Sequence, residues 1–318
     1  MKIKALLATA LLATGISVSG AQAEYPEQPI TMIIPFAAGG GTDASGRTIA
    51  RFLEKQLGKP VVVVNRAGAG GELGLAELAK AKPDGYTIGL INTPGIVTIP
   101  IERQAQFKIE DFTFIAGMVE DPATLNVLGN SEIKSIEDLV TAAKANPGRV
   151  TVGTQGVGSA GHIAVMLFEN AAGIDLLPVP FDGASTARNA LLSGEIQVSS
   201  ANLGEAVTFS QGVDWRILGV MADERASIAP DVPTFKEAGY PVVGGSIRGL
   251  GAPAGLPADV LAKLSAAVEA VAQDPEYLEL SKNTFQPVRF IKPDAYSKIL
   301  ADLDARSREL WAKTPWNK

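Results

Sequence analysis

The sequence contains no cysteine. That excludes disulfides, thiolate catalysis and cysteine-based metal sites, together with the lipid-modified cysteine that anchors some exported bacterial proteins. Histidine is nearly as scarce. His162 is the only one, so a histidine-dependent mechanism has a single candidate. No HExxH-type metal motif occurs, and Asp43, Asp182 and Glu205 stand isolated rather than as paired carboxylates. No basic cluster interrupts a formal net charge of −6, which falls to −8 without Lys2 and Lys4. Nucleic acid and anionic membrane are therefore poor partners, and an anionic ligand has to be held locally, against the overall field.

Long apolar runs are also missing after residue 23, so no transmembrane helix is expected there. Residues 1–23 read as a signal peptide. Lys2 and Lys4 give a positive start, ALLATALLATGISV is an apolar stretch too short to span a bilayer, and Ala21-Gln22-Ala23 is an A-x-A cleavage site. Export to the periplasm and a mature start near Glu24 follow as expectations. With 46% hydrophobic residues, the chain has enough apolar material to hold a fold by its core alone, most naturally as two lobes.

What is present is a repeated strand–loop–helix alternation. ITMIIPF (30–36), VVVVN (61–65) and YTIGLIN (86–92) read as strands, with helices over 43–57 and 72–81 between them. The character shifts near residue 121. TLNVLGN (124–130), RVTVGT (149–154), LLPVPF (176–181), IQVSSAN (196–202) and WRILGVM (215–221) read as further strands. Helices fall between them: one capped by Ser135, then 162–172 and 184–193, with 257–272 and 293–312 near the C-terminus. Alternation at this spacing argues for parallel α/β sheets. The reading is two α/β lobes, residues 24–120 plus 223–318 and residues 121–222, joined by two crossings that make a hinge beside a ligand cleft.

Glycines gather where strands end. Pro35 to Asp43 reads PFAAGGGTD, Gly68-Ala69-Gly70-Gly71 follows the second strand, Thr93-Pro94-Gly95 the third, and Gly156-Val157-Gly158-Ser159 a strand of the other lobe. A phosphate-binding P-loop needs GxxxxGK[ST], but no lysine follows the first glycines until Lys55, and GxGxxG is absent as well. Nucleotide binding is thereby disfavoured. Free backbone N–H groups at a helix N-terminus remain, with Thr42 or Asp43 as cap, and suit a carboxylate; a plain tight turn is the alternative. Repetition of the device at the carboxyl ends of several strands, where open α/β sheets place ligands, favours a site. Ser159 lacks the GxSxG elbow and reads as a helix cap, with His162 as a cap or ligand contact rather than a base. An exported hydrolase built on Ser159 and His162 is the remaining enzymatic alternative. The chain otherwise reads as a binder with no cofactor and no metal.

ITMIIPFAAGGGTD, VVVVNRAGAGGELG, KPDGYTIGL, GSAGHIA, PVPFDGAS, ALLSGEIQV, DERASIAPDVPTFKEAG and APAGLP stand in an order that resembles the Bug family over essentially the whole mature chain. These are the extracytoplasmic solute-binding proteins of tripartite tricarboxylate transporters. SIRGLGAP resembles the WRG segment of the tricarboxylate-binding subgroup, with Ile247 where tryptophan is common. The resemblance implies a two-lobed periplasmic-binding-protein fold and a ligand among tricarboxylates, dicarboxylates, acidic amino acids or aromatic acids. It implies that a ligand carboxylate sits between the first two loops, at Phe36, Gly39, Gly40, Gly41, Thr42 and Asp43 and at Gly68, Ala69, Gly70 and Gly71, with Thr93 beside them. Thr154, Gln155, Ser159, His162 and Asn202 would face it from the far lobe. Asp182 would orient that lobe, and Arg248 would face a second carboxylate or else lie on the surface. The implied partners are a large and a small membrane subunit; service to a sensor kinase is the alternative, and the binder itself is expected to be a monomer.

Overall fold

The computed structural model describes residues 25–313 and 315–316, so the signal peptide expected over 1–23 lies outside the described residues. The first lobe opens with β1 (Ile30–Ile34), α1 (Gly41–Leu57), β2 (Val61–Asn65), α2 (Glu72–Ala79), β3 (Thr87–Asn92) and α3 (Gly95–Glu102). β1 lies between β2 and β3, parallel to both. The buried face of α1 carries Ile49, Phe52, Leu53 and Leu57 at helical spacing, and Gly58, in the left-handed conformation, ends it with an N–H bond to the Glu54 carbonyl.

β4 (Phe112–Leu128) then runs through both lobes. Only its second half, from Thr124, was read as a strand from the sequence; Pro122, which has no N–H to give a ladder, nevertheless stays in register opposite Gly245. The second lobe follows: α4 (Ile136–Ala145), β5 (Thr151–Thr154), α5 (Ala160–Ala172), β6 (Leu177–Pro180), α6 (Ala184–Leu192), β7 (Val198–Asn202), α7 (Leu203–Phe209) and β8 (Trp215–Val220). Here β5 pairs parallel with β6 and β7, while β4 takes β7 and β8 antiparallel. Ser135 caps α4 by accepting the Asp138 N–H, as expected.

The chain returns along β9 (Gly245–Pro253), antiparallel to both β3 and β4. It finishes on the first lobe with α8 (Ala258–Gln273), α9 (Pro275–Asn283), β10 (Val288–Ile291) and α10 (Pro293–Lys313). The sheet is thus mixed rather than purely parallel, in the order β2-β1-β3-β9-β4-β7-β5-β6, with β8 and β10 also on β4. The return crossing is displaced from the expected boundary as well. Phe235 and Val242 pack in the core of the second lobe and Val220 bridges Thr234, so residues 223–243 belong with that lobe and the chain recrosses at Gly244–Gly245. There the strands approach so closely that a Cβ on Gly245 would fall 2.4 Å from the Asp121 carbonyl oxygen. Among the described residues no helix is long and apolar enough to cross a membrane.

Candidate functional site

The lobes meet around a narrow cavity of about 40 Å³. Its near wall is the first glycine loop and the ends of β3; its far wall comes from the starts of α5, α6 and α7; its floor is β9. Of the residues expected from sequence, Phe36, Gly40, Thr42, Gly70, Thr93, Gln155, Ser159, Asn202 and Arg248 line it. Ala37, Asn92, Gly95, Ala160, Gly183, Ala184, Glu205 and Ser246 line it without having been expected.

Neither Thr42 nor Asp43 caps α1. The cap position is Gly40, in extended conformation and without a side-chain bond. Asp43 instead braces the loop from behind, accepting from the Gly39 N–H at 3.0 Å, from Arg47 Nε at 3.0 Å and from Asn65 Nδ2 at 2.9 Å. Burial opposes ionisation of its carboxyl, but those donors outweigh it and hold the group below its usual value. Asn65 Nδ2 also bonds the Phe36 carbonyl, so two side chains fix the path of the loop. Thr42 accepts from Asn92 Nδ2 at 2.9 Å, leaving Asn92 Oδ1 buried at the cavity with no partner among the described residues.

The second loop reaches the cavity only through Gly70. Gly68, Ala69 and Gly71 stand back from it, and Arg103 holds the loop by donating to the Ala69 carbonyl at 2.7 Å. Gly39 and Gly41 are likewise outside the lining, although the Gly41 N–H points across the cleft.

On the far wall, Ser159 accepts from the His162 N–H and caps α5, as the sequence indicated. His162 lies behind the wall rather than on it. Its Nδ1 accepts the Gly158 N–H at 3.0 Å, and burial lowers its pKa to about 4, so the ring is neutral and spends its acceptor on the loop. Thr154 is fully buried and also off the cavity. Gln155 is tied up by the Ser200 carbonyl and the Gly161 N–H. Asp182 is exposed in a separate groove beside Arg103, outside the cavity.

Arg248 is no surface residue. Its side chain is 1% exposed, and Nη1 bonds Asp121 Oδ2 at 2.9 Å while Nη2 stands 3.5 Å from Glu205 Oε1. Burial pushes the Asp121 carboxyl above its usual value, Arg248 pulling it back and Glu205 adding to the rise. Among the described residues, Arg248 Nε is buried without a partner. Glu205 completes the triad from the second lobe: Oε2 accepts the Asn202 N–H at 3.0 Å, and Oε1 accepts the Gly41 N–H, on the first lobe, at 2.8 Å. Sequence reasoning passed over Glu205 as an isolated carboxylate. Asn202-Leu-Gly-Glu205 does carry a capping-box pattern, but that pattern finds only the bond to Asn202 and not the one across the cleft. Further contacts join the lobes: Thr98 Oγ1 donates to the Gly158 carbonyl, Ser185 Oγ to the Ala38 carbonyl at 3.3 Å, and a Cβ on Gly156 would fall 2.7 Å from Gly70 Cα.

Comparison with known proteins gives a consistent picture. The model of the tripartite tricarboxylate transporter family receptor matches residues 46–314. Protein BugT of Bordetella pertussis is 32% identical over 76% of this chain and 74% of its own length. An R. palustris protein, Rpa4515, solved with adipate, superposes with a TM-score of 0.86 at 26% identity, over 91% of this chain and 98% of the other. MatC of Rhodopseudomonas palustris, solved with bound malate, gives 0.83 at 27% identity, over 90% and 99%.

Proposed function

Since the chain belongs to the tripartite tricarboxylate transporter receptor family, we propose that it captures a small carboxylate between its lobes in the periplasm and delivers it to the two membrane subunits of such a transporter. The observation that carries this reading is the uncapped N-terminus of α1. No side chain of its own loop satisfies the first turn, and the Gly41 N–H engages a carboxylate oxygen across the cleft. Backbone donors aligned with the helix dipole favour a carboxylate without demanding a lysine. Adipate and malate in the related structures support a dicarboxylate as the ligand class. A ligand bridging both lobes stabilises the closed arrangement by contacts it makes only there.

Thermal denaturation and calorimetry of protein refolded from denaturant, to strip carried-over ligand, test the reading. Malate, adipate and citrate are expected to raise the melting temperature with dose, and glucose and lysine to leave it alone. Gly40→Asp should remove that response with the fold intact. Gly40 has an extended cap conformation, and a Cβ there would make only ordinary contacts, 3.9 Å from the Ala37 carbonyl oxygen and 3.9 Å from Glu205 Oε1. Aspartate therefore fits at the helix cap, while its charge repels the ligand's and that of Glu205. A panel in which sugars bind and no carboxylate does would sink the proposal.

A further inference from the structure

Resting on the carboxylate reading, we infer that Glu205 is an internal stand-in for the ligand's carboxylate, competing for its place and so setting which ligands succeed. Four observations converge. Glu205 Oε1 receives the Gly41 N–H at 2.8 Å, at the N-terminus of a 17-residue helix. Glu205 sits in the first turn of α7 on the opposite lobe, so this one side chain bridges the cleft as a ligand would. The cation beside it, Arg248, is 1% exposed, lines the cavity and keeps Nε unpartnered. The fit is tight: a Cβ on Gly41 would fall 2.6 Å from Glu205 Cγ, so glycine is what lets the carboxylate reach the helix end.

Space makes the competition unavoidable. With Glu205 in place about 40 Å³ remains, well below the roughly 150 Å³ of an engineered cavity that accepts benzene. A carboxylate ligand has to take the Gly41 N–H from Glu205 and send that side chain elsewhere. Arg248 Nη2, already 3.5 Å from Oε1, is the nearest charged partner for the displaced group. The exchange of one carboxylate for another at Gly41 gains nothing by itself. A ligand wins only through a second polar group: among the described residues, Arg248 Nε is free at the cavity to donate to a second carboxylate, and Asn92 Oδ1 to accept from a hydroxyl. Glu205 is therefore a specificity determinant that rejects monocarboxylates and admits ligands carrying a second polar arm.

The test uses acetate, a bare carboxylate, on the stripped full-length mature protein. In Glu205→Ala, Asp121 and Arg248 remain a balanced pair and the helix end is vacated. Acetate is expected to raise the melting temperature of Glu205→Ala saturably and to leave wild type unmoved. Malate or adipate should bind the variant roughly tenfold more tightly, the return of about one charge-assisted hydrogen bond's competition. Acetate acting on both proteins equally, or on neither, overturns the inference, as does weaker dicarboxylate binding by the variant. Should Glu205→Ala fold poorly, Gly41→Ala expels the same side chain with a methyl group. Small-angle scattering should then show lobes further apart than in wild type, and unchanged dimensions count against the inference. Wild-type binding of dicarboxylates is read separately. Its loss, with the acetate effect intact, overturns the transport reading and leaves Glu205's role standing.

Discussion

His162 shows how a residue type that usually signals chemistry is used here for architecture. Its Nδ1 holds the Gly158 N–H, and burial lowers its pKa to about 4 against about 6.5 in an unfolded chain. The folded state thus binds this proton less readily than the unfolded one. The stability contributed by the neutral ring is complete above pH 6.5 and is lost progressively as pH falls towards 4, a change on the order of 3 kcal/mol. Urea unfolding at pH 7.5 and 4.5 should show His162→Asn, whose Oδ1 can accept the same bond, losing less stability than wild type between those conditions. Equal losses would mean that the ring is protonated without penalty.

Among elements, the glycine turns divide into those that meet the ligand space and those that meet each other. Gly156 has φ +112° and lies against Gly70 of the opposite lobe, forming a seam at the edge of the cavity. Gly156→Ala should cost about 1–3 kcal/mol in strain and prevent the seam from closing. Ligand release is then expected to quicken roughly tenfold with little change in capture, measurable by stopped-flow. The first loop was legible because its signals are local: three glycines, an apolar strand before them and an amphipathic helix behind. Its mechanism was less so, since Asp43 reads as a cap and serves as a brace, which needs Asn65 from β2 to be seen. The far wall was legible in part. Glu205, Ser246 and Arg248 lie on α7 and β9, and only the antiparallel return of β9 against β4 brings them together.

For the whole molecule, the decisive fact is that β4 belongs to both lobes, with β9 paired along its first part. Val119 and Ala116 of β4 lie in one core, and Ala123, Leu125 and Val127 in the other. Alternation along the sequence indicated two lobes and two crossings, but not that one strand runs through the first of them. It also set the return at residue 223, because the 223–243 segment has no strong period of its own to show its packing on the second core. A strand shared by the two cores predicts a single cooperative thermal transition, with calorimetric and van't Hoff enthalpies in agreement. Two separated transitions would mean that the cores melt independently.

The same two strands carry Asp121 and Arg248, while Glu205 rides on the second lobe. Twisting the lobes apart withdraws Glu205's negative charge from Arg248 and leaves Asp121 behind. Closing the lobes therefore gathers two carboxylates on one guanidinium, and opening leaves the Asp121–Arg248 pair balanced. What the same motion sets free is the Gly41 N–H, so the donor that meets an entering anion is a backbone group at a helix end and not the guanidinium behind it.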